Sequence, residues 1–227
     1  MKVMLFGATG MVGQGVLREC LLDPGVKSVL AVGRRATGQR HEKLRELVHE
    51  DFSRIFAISD ELVGYDACFF CLGVSAAGRS ERAYSEVTYD LTLAVARVLA
   101  ERNPSMTFVY VSGTGTDSTE HGRAMWARVK GRTENALLRL PFQAAYMFRP
   151  AFIQPLHGIV SRTKLYRVLY AATGPLFPLL KALFPRYVTT TERVGRAMIH
   201  VAKHGAAKPV LENGDINSIG SLPGAGR

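Results

Sequence analysis

The stretch Val3-Met4-Leu5-Phe6-Gly7-Ala8-Thr9-Gly10-Met11-Val12-Gly13 decides the fold of this chain. Its four leading apolar residues read as a buried strand, and the pattern over 11–22 reads as a helix stopped by Pro24-Gly25. Between them, three glycines permit a tight turn, close backbone approach to a pyrophosphate and close helix–strand contact. The helix then presents free N–H groups and a positive dipole to the phosphates. Placement between a strand and a helix makes the triplet a dinucleotide-binding signal for Gly7, Ala8, Thr9, Gly10, Met11, Val12 and Gly13. No Gly-Lys-Ser/Thr follows, so it is not a Walker-type phosphate loop.

Working outward, short apolar runs alternate with longer helical patterns, as in βαβ units. Strands are expected at 3–6, 28–32, 47–49, 67–72, 107–112 and 144–148, with helices at 11–22, 81–102 and 123–140. The expected fold is α/β: a single doubly wound parallel-sheet Rossmann domain over 1–212 with a small C-terminal substrate cap. The cap is residues 151–187, which are apolar, basic and rich in aromatics and proline. Thr189-Thr190-Thr191-Glu192 has the spacing of a capping box for a last helix. Residues 213–227, rich in Gly, Ser and Pro, are expected to form a flexible tail.

The end of the second strand chooses the cofactor. An NAD site carries an acid there for the ribose 2′-hydroxyl. This chain has Arg34 and Arg35 instead, with no acid before Glu42. Two guanidiniums suit a 2′-phosphate by charge and by fork geometry, so NADP(H) is expected over NAD(H).

The chain has 227 residues and a formal net charge of +10, but the charge is uneven. Residues 1–120 hold 13 bases and 15 acids, whereas 121–227 hold 16 bases and 4 acids. No acid occurs between Asn135 and Thr191. The bases form neither a dense run nor a nucleic-acid motif, which argues for a hydrophobic or anionic small-molecule substrate, or a peripheral lipid contact, over nucleic acid. The 13 uncharged residues of 168–180 are too few, and too broken by Pro175 and Pro178, to span a bilayer. Three cysteines cannot close a disulfide framework, and the apolar start is too short for a signal peptide, so a cytoplasmic location is expected. Cys68 and Cys71 sit on one strand with opposite facing, which reads as core packing. His200 and His204 are one helical turn apart without a third ligand, so no metal site is expected.

These residues resemble the short-chain dehydrogenase/reductase superfamily, in its atypical branch, and are similar to the Tat-interacting-protein-like oxidoreductases. The resemblance rests on the glycine fingerprint, Cys71-Leu72-Gly73, Val111-Ser112-Gly113 and Arg149-Pro150-Ala151-Phe152-Ile153-Gln154-Pro155. It implies that Asp51 and Phe52 lie beside the adenine, and that Cys71, Leu72 and Gly73 line the ribose. Pro150, Ala151 and Phe152 would approach the nicotinamide. It also offers a homodimer seam formed by the helices at 81–102 and 123–140.

The family's chemistry uses Ser, Tyr and Lys, the last two four residues apart on one helix face. The tyrosine donates a proton to a carbonyl, and the lysine lowers its pKa and holds the ribose. The matching residues here are Ser112, Trp126 and Lys130, so tryptophan replaces the tyrosine. An indole N–H donates a hydrogen bond but has no usable acidity. His121, Tyr84, Tyr166 and Tyr170 are candidate replacement acids, and spacing selects none of them. Phe152, Leu156, Tyr166, Leu169, Tyr170 and Phe177 give the cap an apolar character suited to a hydrophobic carbonyl or alcohol. The alternative is a catalytically impaired NADP(H)-binding sensor or regulatory protein.

Overall fold

The computed structural model describes residues 1–159 and 184–222. Strand β1 (Lys2–Phe6) is buried from Val3 onward and leads through the glycine turn into α1 (Met11–Leu22). There follow β2 (Ser28–Gly33), β3 (Leu44–Val48), a kinked 3₁₀ segment (Phe52–Leu62) and β4 (Ala67–Phe70). Next come α2 (Glu81–Ser85), a π-helical segment (Glu86–Asp90), α3 (Leu91–Arg102), β5 (Thr107–Val111), α4 (Met125–Leu138) and β6 (Ala144–Arg149). The described chain closes with β7 (Phe152–Gln154), β8 (Val188–Thr190), α5 (Thr191–His204), β9 (Val210–Glu212) and α6 (Asn213–Ile219).

Seven strands form one parallel sheet in the order β3-β2-β1-β4-β5-β6-β9, and β7 pairs with β8 in a separate parallel ribbon. The order reverses between β1 and β4, which opens a crevice at the carboxyl ends of those strands. Alternation along β1 sends Val3 and Leu5 into one core and Met4 and Phe6 into the other. The first core lies under α1 and α5, the second under the 3₁₀ segment, α3 and α4. Helices α1 and α5 meet at Gly15 and Gly195. A Cβ at Gly15 would stand 2.5 Å from Thr191 Cβ, and one at Gly195 2.8 Å from Glu19 Cγ. Cys68 belongs to the second core while Cys71 packs on the first, and both thiols are free.

Four expectations shift. Strand β3 begins at Leu44 rather than 47, because it pairs only with β2 and its register, Val29 opposite Leu44, runs through the exposed Arg45 and half-buried Glu46. The helix expected over 81–102 is interrupted by the π segment. The cap of α5 is Thr190, whose Oγ1 accepts from Arg193 N–H at 3.1 Å; Thr189 is buried in β8 opposite Ile153, so there is no capping box at 189–192. The tail expected from 213 instead begins as α6, capped by Glu212 and Asp215, with Ile216 fully buried. Tyr166, Leu169, Tyr170 and Phe177 lie outside the described residues.

Candidate active site

The glycine turn works by contact. Gly7 has φ +83°, and a Cβ there would meet the Cys71 backbone at 2.7 Å. A Cβ at Gly13 would stand 2.0 Å from the Gly7 carbonyl oxygen, so α1 closes directly onto the turn. Gly10 N–H donates to Gly7 O at 2.9 Å, and Gly10 caps α1 in extended backbone with no side chain over the helix end. The first-turn N–H groups therefore face an anion site unobstructed.

Two cavities meet there. A small one, about 70 Å³, is bounded by Gly7, Ala8 and Thr9, by 31–37, by Glu46, Leu47 and Val48, and by Phe52 and Leu72. A cleft of about 450 Å³ runs from Arg34 and Arg35 past Gly7, Gly10, Met11 and Val12 to Cys71, Leu72, Gly73, Val111, Ser112 and Lys130. Arg34 and Arg35 are exposed, and neither enters an ion pair among the described residues. Glu46, absent from the sequence reading, lines the small cavity, but its Oε1 accepts from Thr37 N–H at 2.5 Å. Phe52 lies edge-on to Phe6, ring centroids 5.8 Å apart, and forms the cavity floor. Asp51 does not line either cavity. It accepts from Ser53 Oγ and N–H, and these bonds hold its carboxyl below the usual range.

At the inner end, helix α4 carries Lys130 and Glu134 one turn apart, facing the ends of β5 and β6. The helix reaches the β5 loop because Gly131 has no side chain: a Cβ there would overlap the Asp117 carbonyl oxygen at 1.7 Å. Lys130 Nζ donates to the Ser112 carbonyl oxygen. Burial lowers its pKa to about 8, with Glu134 pulling the other way. Arg149 Nε and Nη2 donate to Glu134 at 3.1 and 2.5 Å, Nη2 also reaches Ser118 Oγ at 2.5 Å, and Nη1 reaches Glu212 at 3.1 Å. Sequence reasoning missed Glu134 and Arg149 as a pair, although the acid on the lysine's own helix face was a signal.

Two family roles look different in this geometry. Ser112 is buried, and its Oγ donates to Glu134 Oε1 at 2.5 Å, with Phe148 O at 3.1 Å. Its single proton is thus turned inward rather than toward a substrate oxygen. Trp126 is half-buried with its ring edge over Gly115, 3.2 Å from where a Cβ would lie, and does not line the cleft. Pro150, Ala151 and Phe152 also stand outside the lining; Pro150 O accepts from Thr114 N–H at 3.0 Å, and Ala151 N–H donates to Asn213 Oδ1 at 2.9 Å. Of the candidate acids, His121 is exposed on a loop and Tyr84 is buried in α2. Outside the cleft, Glu19, His157 and Glu192 bring ligand atoms within 4.8 Å of one another, but Arg18 and Arg196 already bind the Glu19 carboxylate and Arg196 also binds Glu192.

A switch-point crevice lined by a glycine turn, with a half-buried lysine at its far end, defines a dinucleotide-binding α/β protein. Residues 3–122, more than half of the chain, match the NAD dependent epimerase/dehydratase family, and the chain belongs to that family as an atypical short-chain dehydrogenase/reductase. It is 30% identical over 159 residues to "Protein fmp52, mitochondrial" of Aspergillus fumigatus, covering 67% of this chain and 66% of that protein. It is 27% identical over 154 residues to "Protein HTATIP2" of Rattus norvegicus, covering 67% and 62%. The match thus spans just under two thirds of these relatives' length. The fold is shared with the Bordetella bronchiseptica enzyme WbmF in complex with NAD+, at TM-score 0.63 and 16% identity, covering 96% of this chain and 76% of that one.

The fungal names correct one expectation. They are marked mitochondrial, which points away from the cytoplasmic location inferred from cysteine count and the N-terminus. Those features report redox chemistry and secretion; neither reads an organelle address. Among the described residues no helix is long and apolar enough to cross a membrane.

Proposed function

We propose that this chain binds NADP(H) in preference to NAD(H) and acts as an oxidoreductase on a hydrophobic carbonyl or alcohol, within one Rossmann domain capped by 151–187. The observation that carries the reading is a single cleft with Arg34 and Arg35, without an ion pair among the described residues, at one end and Lys130 at the other. The residues present fit the cofactor: Gly7 to Gly13 for the pyrophosphate, Arg34 and Arg35 for a 2′-phosphate, Phe52 as the adenine floor, Cys71 to Gly73 along the ribose. When bound, the nicotinamide supplies or accepts a hydride. Lys130 keeps two of its three Nζ protons without a protein acceptor among the described residues, and these serve the ribose hydroxyls and the reacting end. Half-buried Phe152 and Leu156 support an apolar substrate side.

Fluorescence titration with NADPH and NADH tests the cofactor choice. Tighter binding of NADPH that disappears in Arg34→Ala/Arg35→Ala is the expected result; equal affinity for both nucleotides in the wild type refutes it. A second reading, an NADP(H)-binding sensor without turnover, is favoured by Trp126 in place of the tyrosine and by the inward turn of the Ser112 hydroxyl. Hydride transfer by the wild type separates the two.

A further inference from the structure

We propose that Lys130 is the proton donor of this site, delivering an ε-ammonium proton to the substrate oxygen in the role that the absent tyrosine would fill. The proposal rests on the oxidoreductase reading and gives that reading its missing acid. The inner end of the cleft is bounded by Cys71, Val111, Ser112 and Lys130. The Ser112 proton is committed to Glu134, and burial raises the Cys71 thiol, which holds its proton too firmly to serve at neutral pH. Arg34 and Arg35 line the other end of the cleft. Trp126 does not line the cleft.

Lys130 is placed and tuned for the task. One Nζ proton goes to the Ser112 carbonyl, which fixes the amine at the cleft wall and leaves two for ligands. Burial brings its pKa down to about 8, near the value at which a general acid combines correct protonation with ready transfer. The charged groups around it are Glu134 on its own helix and, behind Glu134, Arg149 from β6 paired also with Glu212; Cys71, just beyond β4, lines the same cleft. Arg149 draws the Glu134 carboxylate toward itself, so Lys130 is not locked into an ion pair with it. In the reduction, an Nζ–H bond breaks as an O–H bond forms on the substrate oxygen, and the carbonyl carbon receives hydride from a reduced nicotinamide nucleotide. The products are an alcohol, the oxidised nucleotide and a neutral Lys130 amine that water reprotonates.

The test follows single-turnover reduction of 4-nitrobenzaldehyde and of a long-chain aldehyde, with NADPH saturating, from pH 6 to 10. Lysine side-chain NMR of the nucleotide-free protein gives an activity-independent readout. The expected results are a rate that is flat at low pH and falls about tenfold per unit above pH ~8, and a lysine signal, absent in Lys130→Arg, that titrates near the same pH. Lys130→Arg keeps the cation and, with NADPH held at saturation for the variant, loses about 100-fold or more in reduction, because a guanidinium does not release its proton. Wild-type turnover that is independent of pH, a lysine signal titrating near 10, or full activity in Lys130→Arg overturns the role of Lys130 and leaves the oxidoreductase standing. Wild type that binds NADPH but reduces neither aldehyde, while Trp126→Tyr reduces them, overturns both and establishes the sensor.

Discussion

At the outer end of the cleft Arg34 and Arg35 are exposed with no acidic partner among the described residues, while at the inner end Glu134 is buried between Ser112 and Arg149 and accepts hydrogen bonds from both. The outer end relies on backbone: a glycine turn, bare N–H groups and exposed cations that a ligand must organise. The inner end relies on side chains held before any ligand arrives. Such a network is worth little as net stability, because desolvation offsets attraction, but losing one member leaves an uncompensated buried charge. Side chains at the outer end can thus be changed without touching the fold, whereas the inner end and the fold share residues.

This contrast can be broken from either side. Glu134→Gln strikes the inner end hardest: it removes the carboxylate facing Arg149 and should cost about 3–5 kcal/mol in urea unfolding, with NADPH binding lost only as the fold is lost. Gly13→Ala strikes the outer end, forcing a Cβ to within 2.0 Å of Gly7 O unless the turn moves, and should weaken nucleotide binding by roughly 100-fold or more. Arg34→Ala/Arg35→Ala should weaken NADPH by about 1.4–2.8 kcal/mol, roughly 10–100-fold, leave NADH almost unchanged and leave the melting temperature in place. Thr190→Ala, which removes the cap of α5, should cost about 1 kcal/mol, whereas Thr189→Val should be neutral or slightly stabilising because that buried hydroxyl has no partner among the described residues. If the arginine pair proved as destabilising as Glu134→Gln, the two ends would not be separable as described.

Much of the outer end was legible because its signals are local. Strand, glycine turn and helix adjoin in sequence, and Arg34 and Arg35 follow the next strand directly, so spacing alone places them. Lys130 was legible for a similar reason, as a residue one helical turn beyond Trp126. Glu134 and Arg149 were not, since 15 residues and a change of element separate them and nothing local states that their side chains meet. Strand β3 slipped because an edge strand with one neighbour needs little apolar alternation. Helix α6 was masked by a Gly- and Ser-rich composition that the Glu212 and Asp215 cap and burial of Ile216 overcome.

The sequence by itself determined the α/β alternation, the dinucleotide turn and the loss of the tyrosine, because each is written in residue type and short spacing. Only the tertiary structure decided that Ser112 turns inward, that Arg149 engages Glu134 and that Lys130 stands at the wall with protons to give. Those outcomes depend on which side chains share a desolvated space once three strand ends and one helix converge, and burial then sets both their partners and their acidity.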